Sequence, residues 1–210
     1  MENVLSILFC LTLLYLVITS RLKTYVGILR AQGILLSAIM IFPFIRHLSV
    51  HILIIPLMSL IVKSIIIPRF INKIIIDLDV KRIVESSIQP FNFLLLSVAS
   101  MSIIFVVSHV LSGYTPIEPI PFASAFSAII IGILLIIFRK VLIVHVVGFL
   151  IIENGIFLFG TSIAAEMPTI IELGSMLDIF VVVFLMGIAI NKISSTFANQ
   201  EVTVLGRLKD

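Results

Sequence analysis

The chain has 210 residues, of which 60% are hydrophobic and only 12% charged, and its mean hydropathy is +1.31. Soluble chains carry about twice that share of charge, and a single water-soluble domain of this size cannot bury so much apolar side chain, so the solvent is a bilayer. The net charge of +3 is no nucleic-acid footprint, and a lone Cys10 inside an apolar run gives neither a disulfide framework nor metal-cluster spacing.

A spanning helix needs about 20 mostly apolar residues. Seven segments meet that need in chain order, which predicts an all-α integral membrane protein of about seven transmembrane helices. They are Val4 to Ser20, Tyr25 to Phe44, Leu48 to Ile71, Phe91 to Ser112, Phe122 to Phe138, Val141 to Ile163 and Thr169 to Lys192. The first reads as a retained helix: no basic residue precedes it, and Ser20-Arg21-Leu22-Lys23 follows in place of a small-x-small cleavage site. Pro56 and Pro68 flank Lys63 in the third; each removes a backbone hydrogen bond, giving either a broken helix or two mild kinks. Asn72 to Pro90 is the longest connection, a polar surface helix or loop. Gly113 to Pro121, with three prolines, reads as a hairpin that cannot be helical throughout.

The basic residues sort cleanly between the two sides of this arrangement. Arg21, Lys23, Arg69, Lys73, Lys81, Arg82, Arg139, Lys140, Lys192, Arg207 and Lys209 fall on one side, and Arg46 alone on the other. The positive-inside rule then predicts an outer N-terminus and a cytoplasmic C-terminus. Two cations are missing from that tally because they lie within apolar helices: Arg30 and Lys63. Two carboxylates, Glu153 and Asp178, do the same. Each charge at mid-membrane costs on the order of 3 kcal/mol, so each needs a partner, a wet cavity or a change of protonation.

Gly174 and Ser175 share a face with Asp178 one turn earlier, Ser59 lies one turn before Lys63, and Gly33 and Ser37 follow Arg30 on its own face. Small residues at that spacing admit a neighbouring helix or water. Removal from water disfavours the charged form, so such groups are the ones that exchange protons along hydrated paths. Three readings stay open: proton conduction, structural pairing of Asp178 with Lys63 or Arg30, and contact with another subunit's charges. His145, eight residues before Glu153, is either a cytoplasmic-side relay through a short water chain or an interfacial histidine without a role. His47, His51 and His109 read as interfacial, Glu172 as exposed or capping a first turn, and Glu166 as a loop residue. No phosphate-binding glycine loop, Gly-x-Ser-x-Gly elbow or Cys-x-x-Cys pair is present, so an independent enzyme is not expected.

Three stretches carry a resemblance. They are Arg139-Lys140, the run Val146-Val147-Gly148-Phe149-Leu150-Ile151-Ile152-Glu153-Asn154-Gly155, and Glu172-Leu173-Gly174-Ser175-Met176-Leu177-Asp178-Ile179-Phe180. Together they resemble component E of the hydrogenase-4 and formate hydrogenlyase type of membrane complex. The last three helices are similar to the K subunit of respiratory complex I and to the C subunit of multisubunit sodium/proton antiporters. The likeness extends to the tail Leu205 to Asp210 and reaches the N-terminal half through Gln32, Lys63 and Pro68.

The resemblance implies a non-catalytic membrane-arm subunit that contributes Glu153 and Asp178 to a hydrated charge axis. This sequence has Asp178 where the complex I subunit typically has Glu. Lys63 is the expected charge partner that sets the proton affinity of both carboxylates, and Arg30 and His145 complete the expected proton path. The resemblance places no cofactor in this chain; a nickel–iron centre and iron–sulfur clusters belong on partner subunits, and antiporter-like membrane subunits are the implied neighbours. The location expected is the cell inner membrane. The chain then divides into a three-helix unit over 1–71, a connection, fourth helix and outer hairpin over 72–120, and a three-helix K-like unit over 121–210. Gln32-Gly33 before Lys63 and Asn154-Gly155 before Asp178 suggest that the two triplets are a parallel repeat.

Overall fold

The computed structural model describes residues 2–44, 60–77, 85–115, 117–163 and 187. Among these the chain is helical, with no strand beyond an isolated bridge. Helix α1 is Glu2–Ile18 and α2 is Leu22–Phe44; α3 is Ile67–Asp77, entered through a π-helical turn at Val62–Ile66; α4 is Pro90–Ser112, α5 is Pro119–Phe138 and α6 is Leu142–Ile163. Among the described residues, four stretches are long and apolar enough to cross a membrane: Leu22–Ile41, Pro90–Ser112, Pro119–Phe138 and Leu142–Gly160. Helix α1 is apolar but has 17 residues. The expected third span is described only from residue 60, and the seventh, with Asp178 and Glu172, lies outside the described residues apart from Gly187.

Proline sets two of the helix starts. Pro90 and Pro119 occupy the first turns of α4 and α5, where the missing N–H would have had no intrahelical partner. Helix α5 therefore begins three residues before Phe122, so the proline-rich hairpin is helical over its last residues and not throughout. Ser108 Oγ donates to the Pro119 carbonyl at 2.6 Å and ties the ends of α4 and α5 together.

The opposite end of the bundle is closed by two connections. Ser87 N–H donates to the Phe138 carbonyl at 2.8 Å, and Lys140 N–H donates to the Glu85 carbonyl at 3.1 Å. Arg139 in that turn is buried, only 3% exposed. Its Nη2 donates to the Val17 carbonyl at 3.4 Å and its guanidinium lies 4.7 Å from the centre of the Phe93 ring. The ends of α1, α4, α5 and α6 thus meet around one cation. That end carries Arg21, Arg139 and Lys140, in line with the charge sorting of the sequence.

Small residues fix how closely the central helices approach. A Cβ on Gly132 of α5 would lie 2.6 Å from both the Gly148 carbonyl oxygen and Ile152 Cγ1 of α6. A Cβ on Gly148 would lie 2.8 Å from the Gly132 carbonyl oxygen, and one on Gly155 would lie 2.7 Å from the Ala125 carbonyl oxygen. This backbone-to-backbone contact is the membrane solution to helix association, since burial against lipid-like side chains supplies little drive. On α1, Cys10 Sγ donates to Ser124 Oγ of α5 at 3.2 Å, and Ser124 Oγ donates to the Ser6 carbonyl at 3.2 Å. Helix α4 differs from the rest: Phe91, Leu95, Ile103, Val106 and Val110 are exposed, leaving an apolar face for lipid or another chain.

Gly132→Val forces α5 and α6 apart and is expected to cost about 1–3 kcal/mol, the usual range for overpacking. Thermal melts of the detergent-solubilised protein followed by circular dichroism check this. Gly27→Ala, where an added Cβ meets nothing within 4 Å, should leave the melting midpoint unchanged or raise it.

Candidate functional site

The α5–α6 contact holds the α6 segment Glu153-Asn154 rigidly, with α2 packed on its other side. Facing it across the bundle is the helical segment from residue 60 to 77, whose geometry around Lys63 is set by Pro68. Proline has no N–H for the Ser64 carbonyl, and its ring crowds that oxygen. The helix does not break there. It widens by one residue, and Ile67 N–H bonds the Val62 carbonyl in π fashion. Of the two sequence readings for Pro68, neither a break nor a plain kink describes the result; Pro56 lies outside the described residues. Gly33 of α2 accommodates the widened turn: a Cβ there would lie 2.8 Å from Ser64 Oγ and 3.0 Å from the Lys63 carbonyl carbon.

Lys63 consequently points into the bundle. Its Nζ lies 2.9 Å from Glu153 Oε1, in an ion pair whose side chains are 5% and 2% exposed. The same ammonium donates to Asn154 Oδ1 at 3.3 Å and sits 5.2 Å from the centre of the Phe157 ring. Asn154 Nδ2 donates to Gln32 Oε1 at 3.2 Å; Gln32 Nε2 donates to Thr12 Oγ1 at 3.1 Å; Thr12 Oγ1 donates to the Phe9 carbonyl at 2.7 Å. A directed row of hydrogen bonds therefore runs from the π turn through α6 and α2 to α1. The carboxamides link and orient, while proton exchange belongs to Lys63, Glu153 and any water beside them. A cavity of about 10 Å³ lined by Leu29, Lys63, Ile67, Leu150 and Asn154 has room for roughly one such water.

The five sequence candidates have separate fates. Lys63 and Glu153 come together. Asp178 lies outside the described residues. His145 is half-buried and its Nε2 lies 2.6 Å from the Arg139 carbonyl oxygen in the turn before α6, with Phe149 between it and Glu153 on the same helical face. Arg30 is exposed on the outer side of α2, in a cleft with Ser64, Ile65 and Arg69, so the described bundle does not bring it to Glu153. Sequence reading did not find Thr12, for which a hydroxyl in an otherwise apolar run was the available signal. Nor did it find the burial of Arg139, which counted as a loop cation.

Desolvation makes a buried ion pair a poor stabiliser, yet removing one partner leaves the other charge uncompensated. Lys63→Met alone is therefore expected to cost about 3–5 kcal/mol, and Lys63→Met with Glu153→Met to recover most of it. Unfolding of single and double variants in detergent micelles measures the coupling. Additive losses would mean the two side chains do not pair.

In comparison with known proteins, no family model matches the chain. No solved structure matches it either. It is similar to a Mycobacterium tuberculosis protein named "Uncharacterized protein Rv0085", with 22% identity over 193 residues that cover 90% of this chain and 87% of that protein.

Proposed function

We propose that this chain is a membrane-arm subunit of an energy-converting, complex I-like oxidoreductase of the group 4 hydrogenase or formate hydrogenlyase type. In this reading Glu153 and Lys63 are a gated element of its proton-translocation path. The observation that carries the proposal is the Lys63–Glu153 pair, enclosed in an apolar bundle and joined to Asn154, Gln32 and Thr12. The carboxylate in that pair is the one singled out by the Glu153-Asn154-Gly155 resemblance. Two apolar residues would fill the same space with no desolvation cost, and charges kept inside a membrane usually mark an ion path.

The pair gives a physical form to gating. While Lys63 holds Glu153, the two charges compensate each other. Separation leaves a bare charge in a low-dielectric interior, relieved when Glu153 takes up a proton or Lys63 releases one. The π turn is the element that aims Lys63, so a change in its hydrogen bonding would move the ammonium relative to Glu153. Asp178 is the proposed second carboxylate, on a seventh helix. The chain would sit in the cell inner membrane with its N-terminus outside and its C-terminus in the cytoplasm. It would be non-catalytic, with the nickel–iron and iron–sulfur centres on peripheral partners and antiporter-like subunits beside it.

A second reading has a specific observation in its favour. The 2.9 Å contact and a cavity with space for about one water suit a locked charge in a scaffold that bridges antiporter-like neighbours. A subunit of a cation/proton antiporter without a redox arm would share the same carboxylates; copurification with hydrogenase or dehydrogenase subunits separates it from the first reading.

Proton uptake by vesicles containing the whole complex tests the path. Glu153→Gln is expected to lower uptake about a hundredfold while electron transfer and assembly persist, the lower end of the range for loss of a positioned proton-transfer group. Uptake at wild-type stoichiometry would leave only the scaffold.

A further inference from the structure

Beyond the ion pair, the described chain holds a second cationic feature on its outer surface. Arg30 of α2, Arg69 of α3 and Ser64 and Ile65 of the π turn line an open cleft of about 190 Å³. Two guanidiniums share it, and neither arginine takes part in an ion pair among the described residues. Ser64 is 9% exposed, and its Oγ has no hydrogen-bond partner among the described residues. Two like charges around one open cleft are the complement of an anion with several acceptor oxygens, while the Ser64 hydroxyl is turned toward Gly33 and shut off from the cleft.

The surroundings narrow the anion to one source. Arg30 lies about 12 Å along α2 from Leu22, within snorkelling reach of the interface, and Arg69 lies on the same side of Lys63 as that interface. Toward the bilayer centre the same surface turns apolar. Ile34, one turn beyond Arg30, and Ile61, one turn before Ile65, are both exposed. Two cations that reach toward the interface from beside exposed isoleucines match an amphiphile oriented like the surrounding lipid; a soluble anion would have no use for the apolar part.

We propose that this cleft is a binding site for an anionic phospholipid, with the phosphate held by Arg30 and Arg69 and the acyl chains lying over Ile34 and Ile61. The site stands one helical face away from Lys63. Ser64 follows Lys63 in the π turn and faces Gly33, so the bound lipid braces the segment that aims Lys63 at Glu153.

Native mass spectrometry of the full chain released from nanodiscs, with phosphatidylglycerol, phosphatidylcholine and inorganic phosphate as probes, tests the assignment. The wild type should retain phosphatidylglycerol and shed phosphatidylcholine. Arg30→Gln and Arg69→Gln should each weaken retention about fivefold, the usual worth of one basic residue at an anionic surface. Arg69→Lys should keep partial retention, so a general loss of folding would not pass for a loss of the site. His109→Gln, exposed near the opposite end of the bundle, should change nothing. Equal retention of phosphatidylcholine, equal loss in His109→Gln, or undiminished retention in Arg30→Gln and Arg69→Gln would overturn the proposal. Protection by inorganic phosphate as strong as by phosphatidylglycerol would overturn it in favour of a free-anion site.

Discussion

A lysine ammonium and a glutamate carboxylate taken out of water cannot be left apart in an apolar bundle, and most of the local architecture follows from keeping them together. Glu153 is delivered by α6, which is pinned to α5 where Gly132, Gly148 and Gly155 meet opposing backbone. Lys63 is delivered by a helix widened ahead of Pro68, and Gly33 leaves room for the wider turn. Had Gly33 carried a side chain, α2 would stand off from the π turn, and the row from Thr12 to Asn154 would lose its middle link. The glycines and the proline are therefore part of the electrostatics. They set the 2.9 Å separation on which the compensation of two charges depends.

The bundle also treats its cations in three different ways. Lys63 is inside and paired. Arg139 is inside and held by a carbonyl and an aromatic face at the junction of helix ends, a structural use of a guanidinium. Arg30 is outside, beside Arg69, in an open cleft. Residue type alone does not distinguish these fates. Which helix face each cation occupies, and which helices stand next to it, decides them.

Much of the fold was legible because apolar run length is a strong signal in a bilayer. The stretches Phe91 to Ser112 and Val141 to Ile163 match α4 and α6 almost to the residue. The start of α5 was misread because prolines signal a turn in a sequence but also suit a helix's first turn, and only the backbone tells which applies. At the site, the costs of intramembrane charge were enough to pick out Glu153 and Lys63. Lys63 was expected as a charge partner of Glu153 and Asp178 alike; that it stands directly against Glu153 was not legible, because the sequence does not say that the π turn and α6 are neighbours across the bundle. His145 illustrates the converse: eight residues from Glu153 reads as two helical turns, but its ring is committed to the Arg139 carbonyl. The Gln32-Gly33 and Asn154-Gly155 pattern acquires a physical meaning, since the two carboxamides bond each other and the adjoining glycines both permit close backbone approach. Whether the two triplets superpose turns on the Asp178 helix, outside the described residues.

The central claim is that Glu153 is held as a carboxylate by Lys63 inside the bundle. Infrared difference spectroscopy of the full chain in lipid, with the Glu153 signal assigned through Glu153→Gln, tests it most directly. The account predicts a carboxylate band in the wild type that is replaced by a protonated carboxylic acid band in Lys63→Met, because a lone buried charge neutralises itself. A Glu153 signal that is the same with and without the Lys63 ammonium would contradict the pair and the gating built on it.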